Sequence, residues 1–154
     1  MESEKKWLDL RENSHSLASN YWCHGSYGIL LARTHIFRLL PDLPADLLLI
    51  DRLLDELDES EETIGHSLCH GELGNRSILL DVHRLIHGRE PDDAEKWTLL
   101  RKTPESIWRI GMHPSIESLG LFTGLSGIAF GMLRLCDAGV PSILALDIPL
   151  HGVD

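Results

Sequence analysis

Long apolar runs are missing from this chain. None approaches the ~20 residues that a membrane-spanning helix needs, so no span is expected. Positive charge is scarce as well: 14 Lys and Arg face 24 Asp and Glu, for a formal net charge of −10. Phosphate binding rests on clustered Lys and Arg, and none cluster here, which argues against nucleic acid or an anionic membrane as partner. Cysteine is sparse. Cys23, Cys69 and Cys136 make an odd set unlike a secreted disulfide framework, and in a reducing compartment such residues serve metal binding or core packing. The start, Met1-Glu2-Ser3-Glu4-Lys5-Lys6, is charged, and Asp9 interrupts the apolar residues after it, so a secretory signal is absent and a cytoplasmic location is expected.

What the chain does have is globular composition over 154 residues, 43% hydrophobic and 25% charged, enough for one domain spanning residues 1–154. Two stretches organise it. Trp22-Cys23-His24-Gly25-Ser26-Tyr27-Gly28 and Leu68-Cys69-His70-Gly71-Glu72-Leu73-Gly74 share the pattern Cys-His-Gly-x-x-Gly, 46 residues apart. A third turn, Phe122-Thr123-Gly124-Leu125-Ser126-Gly127, repeats the glycines after a further 53 residues. A repeat of this length means stacked helical hairpins, with inner helices packing on one another and outer helices covering them. Turn glycines allow positive φ and close backbone approach around a small opening.

Spacing predicts an inner helix after each turn. The first carries Ile29, Ala32, Ile36 and Leu39, with Leu30, Phe37 and Leu40 widening the stripe, and stops at Pro41; the second carries Ile78, Val82, Leu85 and Ile86, with Gly88 as C-terminal cap; the third carries Ile128, Ala129, Met132, Leu133 and Cys136, which places Cys136 in the core. Between them, Leu47, Ile50, Leu54 and Leu57 mark an amphipathic outer helix with Asp46, Asp51, Asp55 and Asp58 on its wet face. A second outer helix starts near Asp92 or Asp93, breaks at Thr103-Pro104 and resumes through Ile107, Trp108 and Ile110. Residues 3–12 predict a short helix, the acidic run 55–62 a solvated face, and Ser142 to Leu150 a closing strap.

The repeated Cys-His pair reads as one metal site split between two repeats. Catalytic zinc takes three protein ligands and leaves a fourth tetrahedral position open, and Cys23, Cys69 and His70 would supply that set. Two thiolates neutralise the ion, so a thiol bound fourth loses its proton while its sulfur stays nucleophilic, which suits sulfur chemistry better than water activation. The plainer alternative makes both cysteines small buried hydrophobes and His70 a hydrogen-bonded turn residue. His24 could be a ligand, a proton donor or a loop residue packed beside Trp22; as a neighbour of Cys23 it would compete for one tetrahedral corner, so a non-ligand role is favoured. His66 could enter the cleft, although a solvent-facing position is expected.

In these motifs the chain resembles the lanthionine synthetase C-like family, which comprises lanthipeptide cyclases and the C-terminal cyclase domain of class II synthetases. The resemblance rests on Trp22 to Gly28, on Cys69-His70-Gly71, and on Gly120 to Leu135 followed by Pro141 to Leu146, a stretch similar to the closing segment of bacterial members. It implies an all-α fold, the C-terminal half of an α/α toroid, with Zn2+ held by Cys23, Cys69 and His70. Their loops, with Trp22, Gly25 and Gly71, would line the substrate cleft. It further implies thioether formation, a peptide cysteine adding to dehydroalanine or dehydrobutyrine in a dehydrated precursor peptide. The family's own acid–base histidine and carboxylate lie upstream of the matched portion, so His24 or His66 would have to substitute as proton donor. The chain is therefore expected to join an upstream half of the toroid, to self-associate, or to be poorly stable. The other readings are a noncatalytic or decayed helical module stapled by zinc, and a relative that adds glutathione.

Overall fold

The computed structural model describes residues 20–42, 47–53, 65–88, 108–113, 115–137 and 139–147. Within them run three helices, α1 (Ser26–Leu39), α2 (Glu72–His87) and α3 (Leu125–Cys136), a helical stretch at 47–53, and a 3-10 turn at Ile143–Ala145. No strand occurs among the described residues, only an isolated bridge between Asn20 and Gly25. None of their helices is long and apolar enough to cross a membrane.

The three long helices start the same way for a steric reason. Gly25, Gly71 and Gly124 precede their first residues, and three positions later comes a second glycine. A Cβ on Gly28 would stand 2.1 Å from the Trp22 carbonyl oxygen; on Gly74 or Gly127 it would stand 1.9 Å from that of Leu68 or Leu121. In each repeat the obstructing carbonyl lies six residues back, so the glycine pattern is a demand of one recurring backbone path. Of the turn glycines described, Gly25 adds a positive φ of 138°. Gly88 closes α2 in the left-handed conformation, φ 63°, as its position at the end of the apolar stripe predicts.

Helix α2 is the middle layer and packs against both α1 and α3. Leu30 of α1, Ile50 of the outer stretch and Ile78 and Val82 of α2 are wholly excluded from solvent, each contributing about 1.5–3 kcal/mol by burial. In the outer stretch Ile50 is buried and Asp51 exposed, as predicted, and Leu47 is half-buried; Leu53, outside the predicted stripe, is buried as well. Leu54, the acidic run and residues 3–12 lie outside the described residues.

Three expectations change. Helix α1 buries Tyr27, Leu30, Leu31 and Thr34, so of the predicted stripe Leu30 alone is fully buried; Ile29 and Phe37 are half-buried, Ala32 and Leu40 are exposed, and Ile36 and Leu39 are 37% and 78% exposed. A helix apolar over most of its surface does not reveal its buried side, and here α2 covers only one flank. The same holds in α3, where Gly127, Ile128, Gly131 and Leu135 are buried while Ala129, Leu133 and Cys136 are exposed. Cys136 is thus a solvent-facing residue at the helix end, not core. Trp108 and Ile110, expected to resume an outer helix, lie in a non-helical segment; the rest of that predicted helix falls outside the described residues.

At the far end of the stack sits a polar knot that sequence reading missed. The Arg134 side chain, 2% exposed, donates to Asp81 Oδ1, to both the carbonyl (3.0 Å) and hydroxyl of Ser77, and to the Val140 carbonyl (3.2 Å). Ser142 Oγ donates to Asp81 Oδ2, which fastens the segment leading to Ile143–Ala145 onto α2.

Candidate metal centre

The repeated turns place their backbones in series. Cys23 N–H donates to the Cys69 carbonyl (3.4 Å), and Cys69 N–H donates to the carbonyl of Phe122 (2.9 Å), the residue at the same position in the third turn. Trp22 stacks on Phe122 with ring centroids 5.4 Å apart and planes 4° from parallel, so the outer turns also meet directly.

This lacing brings one potential ligand atom each from Cys23, Cys69 and His70 within 4.8 Å of one another. Bonds of about 2.3 Å to sulfur and about 2.0 Å to nitrogen put tetrahedral zinc ligands roughly 3.5–3.8 Å apart, so the observed spacing fits an ion after slight closure. Electrostatics point the same way. The half-buried Cys69 thiol is pushed up to about 12, first by burial and then by its hydrogen bond with Cys23 and the charge Cys23 would carry. Two adjacent thiolates are therefore tolerable here only with a cation between them.

His70 is oriented by a backbone carbonyl. A carbonyl can only accept, so the 2.9 Å contact between His70 Nε2 and Gly111 O is an Nε2–H donation, which leaves the Nδ1 lone pair free to ligate. Gly111 belongs to a non-helical strap, residues 108–111, that sequence reading did not find. Its anchors are Gly111 N–H to Thr123 O (2.8 Å), His66 N–H to Arg109 O (2.8 Å) and Arg109 N–H to His66 Nδ1 (2.9 Å). His66 is thus buried, 8% exposed and edge-on to Trp108 at 5.2 Å, where a solvent-facing ring was expected. Only the glycine after Trp108-Arg109-Ile110 hinted at this close approach.

A Cβ on Gly111 would lie 2.7 Å from both His70 Nε2 and Ser67 Oγ. Gly111→Ala is therefore expected to displace the imidazole and weaken zinc binding about 10- to 100-fold, read by competition with a chromophoric chelator. Unchanged affinity would remove the strap from the site.

His24 Nδ1 lies 2.9 Å from Cys23 Sγ, and the His24 ring meets Tyr21 edge-on at 5.6 Å; Tyr21 also stands edge-on to His70 at 6.1 Å. Trp22 and Gly25 are half-exposed at the rim, whereas Gly71 is buried, with room for a Cβ denied by Ser67 N at 2.3 Å.

A lanthionine synthetase C-like protein family model matches residues 1–146. The chain belongs to that family. It is also similar to the lacticin 481/lactococcin biosynthesis protein LcnDR2 of Lactococcus lactis subsp. lactis, 28% identical over 144 residues that cover 83% of this chain and 15% of the relative. The chain thus spans less than a sixth of that relative's length. Membership goes with the all-α architecture seen in α1, α2 and α3, since the family's fold is an α/α toroid, and makes this a lanthipeptide-cyclase-related chain.

Proposed function

We propose that this lanthionine synthetase C-like chain holds one zinc ion through Cys23, Cys69 and His70 and carries the thioether-forming site of a lanthipeptide cyclase. The observation that carries this is the convergence of two thiols and an imidazole from equivalent turns within 4.8 Å. When bound, zinc would keep a substrate thiol in its nucleophilic thiolate form at a fourth position. The reaction is addition of a peptide cysteine sulfur to the β-carbon of dehydroalanine or dehydrobutyrine, completed by a proton at the α-carbon. In our reading Gly111 fixes the His70 tautomer, Trp22 and Gly25 border the approach, and His24, beside Cys23, delivers that proton. His66, occupied by the Arg109 amide, positions the strap.

Metal analysis of chain purified without chelator should give one zinc per chain; none would overturn the proposal. Incubation with a dehydrated precursor peptide should then consume peptide thiol without change in mass, since addition is isobaric. A parallel arm with glutathione tests the other substrate thiol, because adduct formation raises the peptide mass. His24→Gln should keep its zinc yet form thioether about 100-fold more slowly or worse. An unchanged rate would exclude His24 as donor.

A second reading is a noncatalytic module stapled by zinc. Zinc retention without thioether formation would select it. In both readings residues 1–154 form one partial toroid domain, and its uncovered flanks, Ile36 and Leu39 on α1 and Leu125 and Leu133 on α3, meet an upstream half of the toroid or a second copy. Size-exclusion chromatography with light scattering should show self-association of the isolated chain. A well-folded monomer at high concentration would count against uncovered flanks needing a partner.

A further inference from the structure

The two sulfurs of the candidate metal centre can also react with each other. Cys23 and Cys69 are both free thiols, the first exposed and the second half-buried. A disulfide demands α-carbons roughly 4.4–6.8 Å apart and side chains that converge. The lacing of the turns supplies that arrangement. Cys23 N–H donates to the Cys69 carbonyl (3.4 Å), which sets the two residues side by side, and their sulfurs lie within 4.8 Å and share a hydrogen bond. Each cysteine stands three positions ahead of its helix, before Ser26 of α1 and before Glu72 of α2, so the bond would join equivalent points of two repeats. Rotation about one side-chain torsion in each residue is the main movement that separates the pair from contact. The third thiol, Cys136, is exposed at the opposite end of α3 from its turn, about 16 Å of helical rise away, and serves as a reference.

We infer that Cys23 and Cys69 form a reversible disulfide when a small-molecule disulfide is the oxidant, which makes the pair a redox modification site. The exposed Cys23 sulfur attacks first, breaking the oxidant's S–S bond and releasing one thiol. Cys69 then attacks the Cys23 sulfur, and the mixed disulfide breaks with loss of the second thiol. Two electrons pass to the oxidant, and the two cysteine protons end on the two released thiols. The consequence for the site rests on the zinc proposal above: only a thiolate ligates, so the cross-linked pair leaves His70 alone and the ion is lost. Close sulfurs that served chelation alone would give no such bond.

The test places the full chain, stripped of metal with a chelator and kept dilute, in a buffer of glutathione and glutathione disulfide, followed by alkylation and peptide mass mapping. The expected product is a peptide joining Cys23 to Cys69, lighter by two hydrogen atoms and opened by dithiothreitol. Cys69→Ser should instead accumulate glutathione on Cys23, because the second attack has no sulfur to make it. Glutathione resting on Cys23 of the unsubstituted chain as it does on Cys136, with no cross-link, overturns the inference, and so does a cross-link through Cys136. Zinc uptake, read with a chromophoric chelator, should fall from one ion per chain to none on oxidation and return after dithiothreitol. A reduced chain that binds zinc but never cross-links sinks the disulfide and leaves the metal site standing. A chain that cross-links yet takes up no zinc when reduced sinks the metal site and leaves the disulfide standing.

Discussion

A chain carrying Cys69→Ala is expected to retain no zinc, the largest functional effect of any single substitution here. Three protein ligands are the fewest that catalytic zinc sites use, and removing the half-buried sulfur leaves only Cys23, which is exposed, and His70. Cys69 is also the hinge of the lacing: its carbonyl accepts from Cys23 and its amide donates to Phe122. Alanine keeps both backbone bonds, so helical circular dichroism should survive while the metal is lost, which separates chelation from folding. In the unsubstituted chain the Cys69 thiol, pushed up to about 12, is protonated at neutral pH without metal. Uptake of the ion must expel that proton, so affinity rises with pH across the neutral range and falls as solution is acidified. Stoichiometric zinc in purified Cys69→Ala would end the proposal.

The second large effect is on stability. Asp81→Leu strands the Arg134 guanidinium, 2% exposed, without its carboxylate, and removing one partner of a buried pair costs about 3–5 kcal/mol. At about 3 °C per kcal/mol for a chain of this length, the thermal midpoint should fall by roughly 10 °C or more. Adding Arg134→Met should restore most of the loss, because an apolar pair of similar volume replaces the charge that was left alone. If Asp81→Leu lies within about 1 kcal/mol of the unsubstituted chain, the ion pair holds nothing together.

The parts of this structure that sequence revealed are those fixed by sterics or by rare donors. Gly28, Gly74 and Gly127 are written into the chain because a carbonyl occupies the place of their Cβ, so the repeat and its helix starts follow from the glycine spacing. Cys23, Cys69 and His70 could be picked out because thiols are scarce and recur at matching places. Packing direction was not legible. Helices α1 and α3 are apolar on more than one side, so periodicity could not reveal that Leu31 is buried while Leu39 faces solvent, nor that Cys136 lies outside. The strap at 108–111 has no periodicity to read, which left the surroundings of His66 and His70 unseen. Arg134 and Asp81 lie 53 residues apart; their shared register, ten residues beyond a turn glycine, was the signal available for the pair.

The uncovered flank of α1 has a consequence for the sulfurs. Cys23 stands just before that helix and Cys69 just before α2, so the lean of one helix upon the other sets the spacing of the two sulfurs. A neighbour docked on Ala32, Ile36 and Leu39 would adjust that lean from outside, and so change the spacing without touching either cysteine.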